Sequence, residues 1–170
     1  MDLSTHLQGP VSKTNALAIK NLVFEQPELM NDLVDIFTGS DYRLCQNAAM
    51  AISKIGDEKP ELFSPFIPQL IQSLESNPID AVKRNVVRLL QFHSIPEELQ
   101  GQLIQHCFDY LLDRQTPVAI RVFAMTIIGN LCMIYPDLKA ELTLILKDEM
   151  PLASAGFRSR ARRILKQIES

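Results

Sequence analysis

Two consecutive stretches decide the architecture: Pro60-Glu61-Leu62 running into Pro65-Phe66-Ile67-Pro68-Gln69-Leu70-Ile71-Gln72-Ser73-Leu74, then Asn77-Pro78-Ile79-Asp80-Ala81-Val82-Lys83-Arg84. Proline at a first helical position loses no needed hydrogen bond, and an acidic neighbour meets the positive end of the helix dipole. The spacing predicts a first helix over residues 60–75, a turn at Asn77-Pro78, and a second helix over residues 79–93. In the second helix Val82, Val86, Leu89, Leu90 and His93 fall on one face.

The same unit recurs along the chain. Pro27-Glu28-Leu29, Pro96-Glu97-Glu98-Leu99 and Pro136-Asp137-Leu138 repeat the first-helix start. The pairs Ala48-Ala49, Val86-Val87, Phe123-Ala124 and Ala161-Arg162 mark successive second helices, separated by 38, 37 and 38 residues. First (A) helices are predicted over residues 27–38, 60–75, 96–114 and 136–149. Second (B) helices are predicted over residues 12–25, 41–55, 79–93, 117–134 and 154–169. A leading B-like helix plus four pairs makes about nine helices. Breakers at Gly39-Ser40-Asp41, Gly56-Asp57-Glu58, Thr116-Pro117 and Met150-Pro151 supply the turns. The period calls for a stack, because one helix pair cannot bury both sides of its apolar stripe.

Composition agrees with this reading. The 170 residues suit one domain, residues 1–170, with 46% hydrophobic and 22% charged content. Six glycines, no Trp and few aromatics disfavour a sandwich or barrel. No stretch reaches the ~18 uninterrupted apolar residues of a membrane span, and Met1-Asp2-Leu3-Ser4-Thr5-His6 carries no secretory pattern. A cytoplasmic protein is expected, with Cys45, Cys107 and Cys132 as reduced, buried thiols. A net charge of −3 gives no global attraction for nucleic acid or anionic lipid.

A period near 37 with paired helices resembles HEAT repeats. The resemblance rests on the proline-bearing first helix, the Asp80 turn, and the Val82-Lys83-Arg84 opening of the second helix, and extends in outline over residues 12–169. It implies an all-α, α–α superhelical solenoid that binds other proteins. The family's second-helix arginine corresponds to Arg84 and Arg121, whereas Gln46 and Ser159 depart from it. The family's B helices line a concave face and its A helices a convex one.

Charge follows that division. The A segments carry a net −10 and the B segments +9, so the resemblance implies a basic groove on an acidic back. Its expected lining, spaced i, i+4 and i+7, is Gln46, Met50 and Ser53; Arg84, Arg88 and Gln91; Arg121, Met125 and Ile128; and Ser159, Arg163 and Lys166. The arginines that open the B helices also fit a structural ladder between repeats. Val118–Ile134 is apolar nearly all round, so either it is buried or Met125 and Ile128 form a hydrophobic floor. Arg158, Arg160, Arg162, Arg163 and Lys166 make the strongest positive patch.

Catalytic chemistry finds no constellation. His6 falls in an N-terminal tail expected to be disordered, and His106 with Asp109 offers too few ligands for a metal. No His precedes a Glu as in iron-carrying HEAT-like proteins, and no Trp stands ready as in base-excising ones. Phosphate-cradling glycine loops and nucleophile elbows are absent from the sequence. The expectation is a non-catalytic scaffold, without cofactor, metal, membrane or small-molecule substrate. It takes an acidic or amphipathic segment of a protein partner on the concave face. The alternative is a nucleic-acid-binding or base-repair HEAT-like protein.

Overall fold

The structure is a computed structural model that describes residues 2–170. Those residues form ten α-helices and no strand: α1 (Leu3–Gln8), α2 (Lys13–Glu25), α3 (Leu29–Phe37), α4 (Tyr42–Glu58), α5 (Ile67–Ser76), α6 (Asp80–Leu90), α7 (Glu97–Leu112), α8 (Val118–Leu131), α9 (Leu138–Glu149) and α10 (Ala155–Glu169). Short 3-10 segments cover Pro60–Phe66 and Met150–Leu152. The nine expected helices are present, and the tenth, α1, occupies the stretch read as a disordered tail. Leu3 and Leu7 hold it down by burial, and Asp2 caps it through Thr5 N at 2.8 Å.

Two further local expectations are revised. The segment 60–75 is not one helix, because Pro65 and Pro68 lack the N–H an α-helix needs and crowd the preceding turn. The chain instead runs a 3-10 segment into α5, which begins one residue before Pro68. Pro96 and Pro117 stand just outside α7 and α8 with extended ψ of 138° and 140°. They cap those helices instead of occupying their first turns. Where proline does not mark the start, a hydroxyl or carboxylate does: Ser12, Asp41 and Ser154 accept from the backbone N–H of Asn15, Leu44 and Phe157.

The chain divides into two compact units, the first ending at Phe92 and the second spanning His93–Ser170. In the first, α4 packs between α2 and α6, with α3 and the 3-10 segment against it and α5 on α6. Ile19, Leu33, Phe37, Ile52, Ile55, Phe63, Leu70 and Ile71 fill its interior. In the second, α8 is central and packs on α7, α9 and α10, around Leu103, Leu111, Ile128, Leu146, Phe157 and Ile164. Second helices of successive pairs thus lie side by side within each unit. Two glycines set how closely: a Cβ on Gly56 would sit 2.5 Å from Leu89 Cδ2, and one on Gly129 2.9 Å from Ile164 Cγ2.

Apolar contact alone leaves stacked helices free to slide, and polar side chains fix the register. In the first unit Asn47 donates to Leu7 O (2.9 Å) and Gly9 O (3.0 Å) and accepts from Asn15 Nδ2. Asn77 donates to Gly39 O at 2.9 Å, and Arg88 reaches Ser53 Oγ and Asp57 Oδ1. In the second unit Tyr135 OH donates to Gln100 Oε1 and Arg160 to Thr126 Oγ1. These ties span 31 to 40 residues of sequence, which is about one repeat. Asn47→Leu should therefore cost the first unit about 1–3 kcal/mol, because the buried Leu7 carbonyl loses this donor. Urea unfolding with an unchanged m-value is the check.

Candidate functional site

Helix α10 divides its faces sharply. Phe157, Ala161, Ile164 and Ile168 recur at helical spacing and are buried. At about 100° per residue, Ser159, Arg162, Arg163 and Lys166 turn to the opposite side, and all four are exposed. Arg158 and Arg160 lie on the flanks, Arg158 donating to Ala153 O and Arg160 to Thr126 Oγ1 at 2.8 Å. Arg162, Arg163 and Lys166 make no ion pair among the described residues. Burial, and then the nearby Arg163 charge, push the Arg160 guanidinium below its ordinary pKa. Arg162, Arg163 and Lys166 are therefore a concentration of positive charge without a salt-bridge partner among the described residues.

An open groove of about 570 Å³ runs beside that patch, between the first turns of α8 and α10. Val118, Ala119, Val122 and Phe123 give it an apolar wall, and Ser159, Arg160 and Arg163 give it a polar rim. Val118 is 47% exposed, so this wall presents apolar surface to solvent. A positive rim on an apolar wall suits a segment with acidic and apolar side chains together.

The α8 wall is not the one read from the sequence. Arg121 is 6% exposed and Met125 fully buried, and Ile128 is buried with them, so none of the three lines this groove. The physical reason is register. The helix caps Asp41, Ile79, Pro117 and Ser154 precede Gln46, Arg84, Val122 and Ser159 by five residues each. Counting by the small-residue pairs instead selected Arg121, one residue earlier and about 100° around the helix. The apolar wall of Val118, Val122 and Phe123 was missed for that reason, and the caps would have found it.

Arg121 serves the interior. Its Nε and Nη2 donate to Leu111 O at 3.1 and 2.8 Å, its Nη2 meets Glu149 Oε2 at 2.7 Å, and its guanidinium lies over the Phe157 ring at 4.9 Å. Arg114, largely exposed, binds the other Glu149 oxygen at 3.0 Å. The Arg114 hydrogen bond, followed by that from Arg121, holds the Glu149 carboxyl below the usual carboxylate range. This cluster borders a second cavity of about 230 Å³, lined also by Val118, Leu152, Ala153, Ser154 and Phe157.

In the first unit, the expected stripe lies on the outer side of α4 and α6. Arg84 is exposed, while Gln46, Met50, Arg88 and Gln91 are half-buried. Gln46 is held by Tyr42 OH at 2.9 Å. Arg88 is a tie to Ser53 and Asp57, so its charge is already matched. The cavity beside it, of about 10 Å³, holds no more than a water.

The remaining candidates for chemistry are structural. His6 Nδ1 pairs with Asn15 Oδ1, His106 stacks against Tyr110, and Asp109 accepts from Gln105. Cys45, Cys107 and Cys132 are buried, and burial pushes each thiol's pKa up. No group of three His, Cys, Asp or Glu among the described residues is placed to hold a metal. No helix among them is long and apolar enough to cross a membrane.

A family model described as a HEAT repeat domain matches residues 3–168. Comparisons with curated proteins and with solved structures give no match.

Removing the Glu149 carboxylate leaves Arg121 charged, buried and short of a partner, so Glu149→Ala should destabilise the second unit by about 3 kcal/mol. Arg114→Ala, at an exposed position, should change stability far less. Because the folded Glu149 pKa lies below its unfolded value, this stabilisation is present above the carboxylate range and is lost as pH falls through it. Thermal melts across acidic pH should show that loss in the wild type and a weaker one in Glu149→Gln.

Proposed function

The chain belongs to the HEAT-repeat family, and on that premise we propose that it is a non-catalytic scaffold that captures an acidic or amphipathic segment of another protein. The surface used is the outer side of the second helices. In the second unit it comprises Arg162, Arg163 and Lys166 with the groove between α8 and α10, flanked by Arg158 and Arg160. In the first unit Arg84, with Gln46, Met50 and Gln91 around it, offers a smaller patch. The setting is cytoplasmic.

One observation carries this reading: three cations that α10 does not use for stacking stand beside an apolar groove. Charges needed for the fold are matched, as Arg88 is by Asp57 and Arg121 by Glu149. An acidic segment would supply what Arg162, Arg163 and Lys166 lack, and arginine can grip carboxylates bidentately. Stacking aromatics, which a nucleic-acid surface would need, are not interleaved with the cluster.

The experiment uses a fluorescently labelled Glu- and Leu-containing peptide and follows anisotropy as salt is raised. The wild type should bind saturably, with a shallow log-log salt dependence. The Arg162→Glu/Arg163→Glu/Lys166→Glu triple variant should weaken binding roughly tenfold or more, because reversed charge repels the acidic probe. Circular dichroism and melting temperature should stay near wild type, since all three positions are exposed. Undiminished binding by the triple variant would remove this surface from the account.

A further inference from the structure

We infer that the partner segment is an amphipathic helix that seats one aromatic side chain in the cavity between the start of α8 and the Met150–Ser154 turn, and places its acidic residues against Arg160 and Arg163. This rests on the reading above, uses the same groove, and specifies the occupant.

The two cavities of the second unit share a wall. Val118 borders both the 570 Å³ groove and the 230 Å³ cavity, and α10 supplies the next residues of each, Phe157 to one and Arg160 and Arg163 to the other. A closed apolar site of about 150 Å³ already accommodates a benzene ring, so the smaller cavity has room for one aromatic side chain. Its apolar walls are Val118, Leu152 and Phe157, beside the Arg114–Glu149–Arg121 cluster, and Leu152 is 75% exposed. Two large apolar residues, Val118 and Leu152, thus face solvent across one depression.

Aromatic chemistry fits this cavity better than aliphatic. Arg114 stands at its rim with a side chain 58% exposed, its Nε and Nη2 directed to Glu149. The guanidinium plane is thereby fixed by the carboxylate, which leaves its face available to stack on a ring. Arg121 makes the same contact inside the fold, over Phe157.

Spacing along α10 sets where the acids belong. From Phe157 the helix rises about 4.5 Å to Arg160 and about 9 Å to Arg163. A partner helix lying along the groove gains about 6 Å over four residues and about 10.5 Å over seven. An aromatic residue followed by acids four and seven positions later would meet the cavity and both arginines together. An extended strand advances about 3.3 Å per residue and would have to skip the same gap with alternating side chains.

The full chain is titrated with three labelled helical peptides: one with Phe followed by Glu four and seven residues later, the same peptide with Phe→Ala, and a scramble of the first. A single-stranded oligothymidylate is the fourth probe. The Phe peptide should bind roughly tenfold or more tightly than the Ala peptide and the scramble, as a buried aromatic anchor requires. Leu152→Ser, at an exposed position outside the groove, should erase the preference for Phe and leave binding of the Ala peptide unchanged, whereas Val118→Ser, whose side chain also lines the groove, should erase the preference and weaken the Ala peptide as well. Neutral serine keeps the electrostatics constant. Equal binding of the Phe and Ala peptides, a preference that survives both serine substitutions, tighter binding of oligothymidylate, or no saturable peptide binding would each overturn the inference. Retained, charge-dependent binding of the Ala peptide would leave the broader reading standing while removing the anchor.

Discussion

A helix pair has two apolar flanks and can cover only one with its own partner, and every other feature of this chain follows from how the second flank is covered. Within each unit the second helices lie side by side, α2 on α4 on α6 in the first and α8 on α10 in the second. Packing of that kind is close only where side chains give way. Gly56 under Leu89 and Gly129 under Ile164 mark two such crossings. Apolar stripes have no preferred offset along their length, so the offset is fixed by polar groups. Asn47, Asn77, Arg88 and Arg160 each reach back about one repeat to a specific carbonyl, carboxylate or hydroxyl. Stability is then close to a sum over neighbours, and the loss of one tie is felt locally.

The same constraint sorts the arginines. Five positions on second helices carry the same side chain to different ends because their angular positions differ. Arg88 sits where the preceding second helix presents Asp57, and becomes a tie. Arg121, turned inward, is desolvated and is matched by Glu149, Leu111 O and the Phe157 ring. Arg160 straddles the seam, bonded to Thr126 while lining the groove. Of these five, Arg162 and Arg163 are the exposed ones, together with Lys166. Helix α10 places its apolar stripe inward and a charged stripe outward.

Much of the fold was legible because it depends on short-range chemistry. Prolines, turn breakers and helical apolar spacing located nine helices, and the charge partition between first and second helices followed from the segments alone. The tail helix α1 was missed because six residues with two leucines carry too little pattern. The break at Pro60–Phe66 was legible in Pro65 and Pro68, but the proline-acidic start obscured it. At the site, the α10 cluster was readable from its five basic residues. The α8 contribution was not, because a helix apolar nearly all round offers no polar stripe to orient it. One residue of misregistration exchanges Val122, which lines the groove, for Arg121, which forms a buried ion pair. Burial of Glu149 against two arginines from α7's end and α8 lay beyond reach, since no local pattern links residues 28 and 35 positions apart.

The most direct test of the central claim, that stacking consumes one face of α10 and leaves the other with the α8 wall for a partner, is residue-resolved NMR. Backbone amide shifts of the full chain are followed during titration with an acidic amphipathic helical peptide. The expected result is saturable shifts centred on Val118–Phe123 and Gly156–Lys166, with the buried tie at Asn47 unmoved. Shifts centred on the acidic first helices α7 and α9, or spread over every charged surface without saturation, would contradict it.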